Sequence, residues 1–151
     1  MFIGIKIYNA VVVTTLLYGA ETWATTKQHE QRIDGFDSGC LRSILKIRWW
    51  HHTPNSVVRE LTRQPYASTL LKRSRMRWYG HVQRMATERI PNRMLNWDPT
   101  VVGGKRKQGG QRQRWIESCT NDFKQMGLTQ SKALKSSRDR GEWRSTLSAL
   151  L

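Results

Sequence analysis

Acidic residues are scarce in this 151-residue sequence: 11 Asp and Glu stand against 26 Lys and Arg, a net charge of +15 at pH 7. The stretch from Gln64 to Gln83 holds no acidic residue at all. Such an excess calls for a polyanionic partner, either nucleic acid or an anionic membrane surface. Cysteine is equally sparse. Cys40 and Cys119 lie far apart with no CxxC spacing, which excludes a disulfide framework and suits two reduced thiols in an intracellular compartment. His29, His51, His52 and His81 are scattered, and none pairs with a cysteine at finger or knuckle spacing. No metal site is therefore expected. The longest apolar run, AVVVTTLLYG from Ala10 to Gly19, is half of what a membrane span of about 20 residues needs. The start, MFIGIKIY, has a single lysine and lacks a secretory pattern. Basic residues are spread along the whole chain instead of flanking one apolar helix, so no membrane partner is expected. A GxxxxGK[ST] loop is also missing, which excludes this form of nucleotide hydrolysis.

What the chain does have is apolar residues at helical spacing. It is 38% hydrophobic and carries 7 tryptophans, more than a disordered basic tail would hold. Its length suits one domain with a modest core or two small lobes. Ile3, Ile7, Ala10, Val11, Thr14, Leu17 and Tyr18 form a stripe that predicts a buried N-terminal helix. Ile33, Phe36, Cys40, Leu41, Ile44 and Leu45 predict a second helix over 27–48, with Asp34 and Asp37 on its surface. Thr53-Pro54 reads as a cap followed by proline in the first helical position, opening a short helix that runs to about Leu61.

A fourth helix is expected from Ala67 through the stretch RMRWYGHVQRM, Arg75 to Met85. Its apolar line is read as Ala67, Leu70 or Leu71, Ser74, Trp78, His81 or Val82, and Met85. Trp78 and Met85, seven apart, then face the core two turns from each other. His81, at the edge of that line with no carboxylate or nucleophile nearby, is expected as a hydrogen-bonded structural histidine and not as a general base. Lys72, Arg73, Arg77 and Arg84 fall off the line and form an uncompensated basic face, a candidate for phosphate contacts. Tyr79 is expected on the exposed side. Stacking on an unpaired base is one role open to it there, and packing is another.

After Met85 the texture changes to a basic connector rich in glycine, with Lys105, Arg106, Lys107, Arg112 and Arg114 as further phosphate-binding candidates. Trp115, Ile116, Cys119, Phe123 and Met126 then make one stripe, which Gly127 stops. Thr129 caps a following helix with Leu134, Ser137, Arg140, Trp143, Leu147 and Leu150 on one side. Trp115 and Trp143 are read as structural, and Asp139 and Glu142 as surface ion-pair partners of their neighbouring arginines. The sum is an all-α chain: a small helical bundle over 1–86, a basic flexible connector over 87–114, and a helical hairpin over 115–151.

Five segments in order carry a resemblance. They are YNAVVVTTLLYGAETW (Tyr8–Trp23), CLRSILKIRW (Cys40–Trp49), RMRWYGHVQRM, GKRKQGGQRQRW (Gly104–Trp115) and DRGEWR (Asp139–Arg144). Together they resemble the C-terminal part of the endonuclease/reverse transcriptases of non-LTR retrotransposons of the long interspersed type. The resemblance implies that 1–86 is thumb-like, and that the chain holds an RNA, RNA–DNA or DNA template–primer through its backbone. It implies a palm domain of a full-length relative as a partner. It also implies an intracellular setting, nuclear or in a cytoplasmic ribonucleoprotein. The sequence departs from the family where chemistry would be. No Tyr/Phe-x-Asp-Asp is present, so neither catalytic residues nor a cofactor are expected in this chain, though the parent polymerase would use Mg2+. Gly109-Gly110-Gln111 stands where the family usually has Gly-Arg-Pro, and Ser137 where it usually has alanine. A truncated derivative without catalytic apparatus fits these departures. A non-functional remnant or a protein-interaction module is the alternative reading.

Overall fold

The computed structural model describes residues 2–95, 97, 109 and 113–150. Every regular element among them is helical, as the apolar spacing predicts. The chain divides into two compact units. The first comprises residues 1–21 and 26–74, the second residues 22–25 and 75–151. The division falls inside a helix, ahead of the boundary at 86 that the sequence texture suggests.

In the first unit, α1 (Phe2–Ile7) runs through a wide π-helical turn (Tyr8–Val13) into α2 (Thr14–Leu16), and Gly19 leaves in the left-handed conformation. The turn's i→i+5 spacing brings Tyr8 and Val13 to one side. There Ile5, Tyr8, Val12 and Val13 pack with Leu41 and Val58. The predicted stripe is on the other side. Ile3, Ile7, Val11 and Tyr18 are exposed, Tyr18 by 86%. Period alone placed the face wrongly, because the hydroxyl of Tyr8 hydrogen-bonds Asp37 inside the unit.

Helix α3 (Lys27–Ile44) begins with a reciprocal cap: Thr26 Oγ1 accepts from His29 N–H, and His29 Nδ1 accepts from Thr26 N–H, both at 3.3 Å. Its two aspartates are not surface residues, as the sequence reading had them. Asp37 is buried and accepts from Tyr8 and from the Ala67 amide at 3.2 Å, and it pairs with Arg59. Asp34 accepts from the Ser68 amide at 2.9 Å and from the Ser68 hydroxyl at 2.7 Å. These two carboxylates serve the first turn of α5 (Ala67–Gln83), where free amides and the helix dipole favour negative charge. Phe36 points outward instead, 53% exposed. Helix α4 (Asn55–Thr62) starts after Pro54, which occupies the capping position expected for Thr53. Its Val58 is fully buried, and the helix ends at Arg63 in the left-handed region.

The second unit takes the other half of α5, then α6 (Ile90–Leu95), α7 (Trp115–Gln125), α8 (Gln130–Ser137) and α9 (Arg140–Leu150). Its core is larger and aromatic: Met76, Tyr79, Cys119, Phe123, Leu128, Ala133, Trp143 and Leu147. Tyr79 meets Phe123 edge-on with ring centroids 5.0 Å apart, and Trp143 Nε1 donates to the Met76 carbonyl at 3.0 Å. A Cβ at Gly80 would overlap the Trp143 indole, so glycine there lets the indole pack as close as it does. Helix α6 occupies part of the stretch read as connector, and Asn92 fastens it by donating to the Met85 carbonyl at 2.8 Å.

Gly127 stops α7 with a positive φ, and Thr129 Oγ1 caps α8 by accepting from Lys132 N–H, both as the sequence predicts. The single helix expected after Thr129 is two. The chain breaks at Arg138–Asp139, and the Asp139 carboxylate accepts from the Glu142 amide at 2.7 Å. Asp139 is thus a cap for α9, and among the described residues neither it nor Glu142 forms the ion pair with a neighbouring arginine that the sequence suggests. The break also turns α8, so that Ala133 and Ser137 are buried while Leu134 is 38% exposed.

Candidate nucleic-acid interface

The basic candidates of α5 come from a helix whose buried line is rotated from the one predicted. Ala67, Leu71, Arg75, Met76, Tyr79 and Val82 are buried. Trp78 is half-buried, and Ser74 and Met85 are half-buried too. His81 is exposed, with its ring 5.3 Å from that of Trp78. The two rings are tilted by 44°, and His81 lacks the burial expected for a structural residue.

Tyr79 requires a correction. Expected on the surface as a possible stacking platform, it is 2% exposed and central to the aromatic core. Burial, with Cys119 adding to it, pushes its phenol up to about 12, against a contrary effect from the Gln83 side chain. A base cannot reach its face. Cys119 beside it is also pushed up, first by burial, which leaves it a neutral, inert thiol.

The charged candidates fall into two groups. In the first unit Lys72 is half-buried, with Nζ 3.0 Å from Glu30 Oε2, so part of its charge is already answered. Arg73 is half-buried beside it in sequence. In the second unit Arg77 and Arg84 are exposed. Arg84 Nη1 donates to the Ser137 carbonyl at 2.8 Å, which closes the C-terminal end of α8 and holds the guanidinium in place. Arg114 is exposed at the start of α7, and its Nε lies 3.4 Å from Glu117 Oε1. Lys105, Arg106, Lys107 and Arg112 lie outside the described residues.

The arginine that sequence reasoning passed over is the most deeply placed. Arg75 is 0% exposed. Its Nε donates to Asp122 Oδ2 at 2.7 Å, and its Nη1 donates to Thr25 Oγ1 at 2.7 Å and to the Trp23 carbonyl at 3.2 Å. It organises the second unit and does not reach a ligand. Arg59 plays the corresponding part in the first unit, pairing with Asp37, donating to Ser38 Oγ at 2.9 Å and lying 4.4 Å over the Tyr66 ring. The available signal was the spacing Leu71–Arg75–Tyr79–Val82, a line that its one charged residue made look polar.

Two further features were not predicted. A cavity of about 460 Å3 in the second unit is lined by Trp78, Met94, Leu95, Trp97, Arg114 and Trp115, among others. This accounts for the half-buried state of Trp78 and Trp115, while Trp143 alone of the structural tryptophans is fully in the core. In the first unit, the turn between α3 and α4 exposes Trp49 by 80% and Trp50 by 54%. Among the described residues there is no group of three or more His, Cys, Asp or Glu that could hold a metal ion, and no helix long and apolar enough to cross a membrane.

No family model and no solved structure matches the chain. A Caenorhabditis elegans protein described as transposon-derived and uncharacterized is 24% identical to it over 127 residues. That similarity covers 80% of this chain and 44% of the worm protein, so the chain corresponds to less than half of its relative. The chain is similar to a transposon-derived protein, and the similarity runs through most of its length.

Proposed function

We propose that this chain is a nucleic-acid-binding piece of a non-LTR retrotransposon reverse transcriptase, thumb-like in its first part. It holds RNA, RNA–DNA hybrid or DNA by phosphate contacts and has no catalytic role of its own. The observation that carries the reading is a net charge of +15, with the Arg77 guanidinium exposed on α5 and Arg84 exposed in the turn that follows it. Cations fixed on helices meet the regular spacing of a sugar–phosphate backbone without reading base edges, which suits an element that must grip any sequence being copied. The similarity to a transposon-derived protein supports the same origin.

Salt dependence tests it. With about five phosphates neutralised, log K falls against log salt with a slope of about −4 to −5. Changing Arg73 and Arg77 to alanine lowers that slope by about two and weakens every sequence alike. Arg84 is left intact because it closes α8. A flat response to salt in the unaltered chain overturns the reading.

A second reading, of a protein-interaction module, is favoured by the exposed stripe Ile3, Ile7, Val11 and Tyr18 on the N-terminal helix. A palm domain of a full-length relative is the partner it would fit. Self-association in sedimentation, abolished by Ile7→Lys and Val11→Lys, would favour this reading over the first.

A further inference from the structure

We propose that the turn from Arg48 to His52 is a stacking platform for unpaired nucleobases, with Trp49 as its open face. The inference rests on the nucleic-acid reading above and adds to it a preference for single strands. An indole left 80% in water is costly for a folded chain, and its neighbour Trp50 covers only part of it, edge-on, at 5.8 Å between ring centroids. Trp50 in turn meets the His51 ring edge-on, at 5.9 Å between centroids.

The turn is tied into the first unit on both sides. Ile47 packs into the first unit's core, and its amide donates to the Arg42 carbonyl at 2.9 Å. The Arg42 guanidinium reaches across to the Thr53 carbonyl and to Asn55 Oδ1, the latter at 2.8 Å. His51 Nδ1 accepts from the Arg48 amide at 3.2 Å. Lys46 and His52, at φ +57° and +47°, bracket the turn in the left-handed region that non-glycine residues avoid. Lys46 ends α3 and His52 ends the short Trp49–His51 helix, so the turn that leaves two tryptophans outside the core is bounded by two helix stops.

The charge around the pair selects its ligand. Lys46, Arg48, His51 and His52 are all exposed, and no acidic residue occurs from Ser38 to Arg59. Aromatic faces interleaved with cations suit a strand whose bases are free to stack while its phosphates meet Lys46 and Arg48. In a duplex the bases are already stacked on each other and have no face to offer.

The test is fluorescence anisotropy with three labelled ligands: a single-stranded oligonucleotide, an abasic strand of the same length, and a duplex. The intact chain should prefer the base-bearing strand to the abasic one by about tenfold. The double variant Trp49→Ala, Trp50→Ala should lose that preference while keeping its salt slope and its affinity for duplex. Equal affinity of the intact chain for base-bearing and abasic strands overturns the platform, as does a preference that survives the double variant. The comparison on the intact chain stands even if the variant misfolds. Salt-dependent binding that is indifferent to bases overturns the platform alone. Salt-independent binding that still needs Trp49 overturns the phosphate reading alone, and absence of binding overturns both. Co-sedimentation with phosphatidylserine vesicles that is lost in the double variant, with oligonucleotide affinity unchanged, would make the turn a membrane contact instead.

Discussion

The two units solve the same folding problem by different means. The first has a slight apolar core around Tyr8, Leu41 and Val58, and leans on a carboxylate hub at Asp37. The second packs eight buried residues, with Tyr79, Phe123 and Trp143 in ring contact, and keeps one ion pair, Arg75–Asp122, inside. A small core leaves apolar residues with nowhere to go, and Ile3, Ile7, Val11, Phe36, Trp49 and Trp50 are exposed in the first unit. The difference teaches that surplus positive charge does not translate directly into binding surface. In each unit an arginine, Arg59 or Arg75, is spent on the interior.

Breaking the buried pairs separates the two designs. Asp122→Ala leaves the Arg75 guanidinium, fully buried, without its carboxylate, and should cost about 4 kcal/mol. Chemical denaturation gives the total, and loss of amide-exchange protection in α7 locates it. Replacing both partners, Arg75→Met with Asp122→Leu, should recover most of that loss, since an apolar pair of similar volume avoids the desolvation cost. Should the double variant be as unstable as the single one, the second unit depends on its ion pair as heavily as the first depends on Asp37.

Asp37→Ala comes next, at about 3 kcal/mol. It strips an acceptor from Tyr8 and from the Ala67 amide and leaves Arg59 short of its counter-charge. Arg59 is slightly exposed and keeps Ser38 and the Pro65 carbonyl, which makes the loss smaller than at Asp122. Exchange should rise first in the opening turn of α5. Asp37→Asn, which retains an acceptor, should recover part of the protection. If α5 keeps its protection in Asp37→Ala, the carboxylate hub is not what holds the first unit.

Sequence pattern reached the helices more readily than their faces. Caps and stops with local chemistry were legible: Thr129 before α8 and Gly127 after α7 act within three or four residues of themselves. Long-range polar partners were not. Nothing local shows that Asp34 and Asp37 serve amides some thirty positions later, or that Asp122 waits for Arg75. A buried arginine reads as solvated, so periodicity puts the α5 line through Trp78 instead of Tyr79. The N-terminal stripe failed for another reason, since an i→i+5 turn has no signature in a 3.6-residue period. Of the candidate residues, Arg77, Arg84 and Arg114 are exposed, Lys72 and Arg73 half-buried and Tyr79 buried, and no periodic face marks the exposed pair Trp49 and Trp50.

The smallest effect sharpens the comparison through its tyrosines. Tyr8 and Tyr79 are both buried, one against a carboxylate and the other among rings. Burial raises each phenol, and at Tyr8 the Asp37 carboxylate adds to it. For Tyr79 the folded value is about 12 against an ordinary 10.0. The neutral phenol is the form the fold retains, so its contribution is complete below pH 10 and is lost as pH rises through about 12. After allowance for solvent screening the loss is about 1–2 kcal/mol. Denaturation midpoints followed from pH 9.5 upward should therefore fall, and Tyr79→Phe should fall less over the same window, because its ring keeps the packing and has no proton to lose. The second unit's aromatic core would then be the alkaline-sensitive part of that loss. An identical decline in Tyr79→Phe would assign the sensitivity to the other groups that burial raises, Tyr8 in the first unit and Cys119 in the second, which Tyr8→Phe then separates.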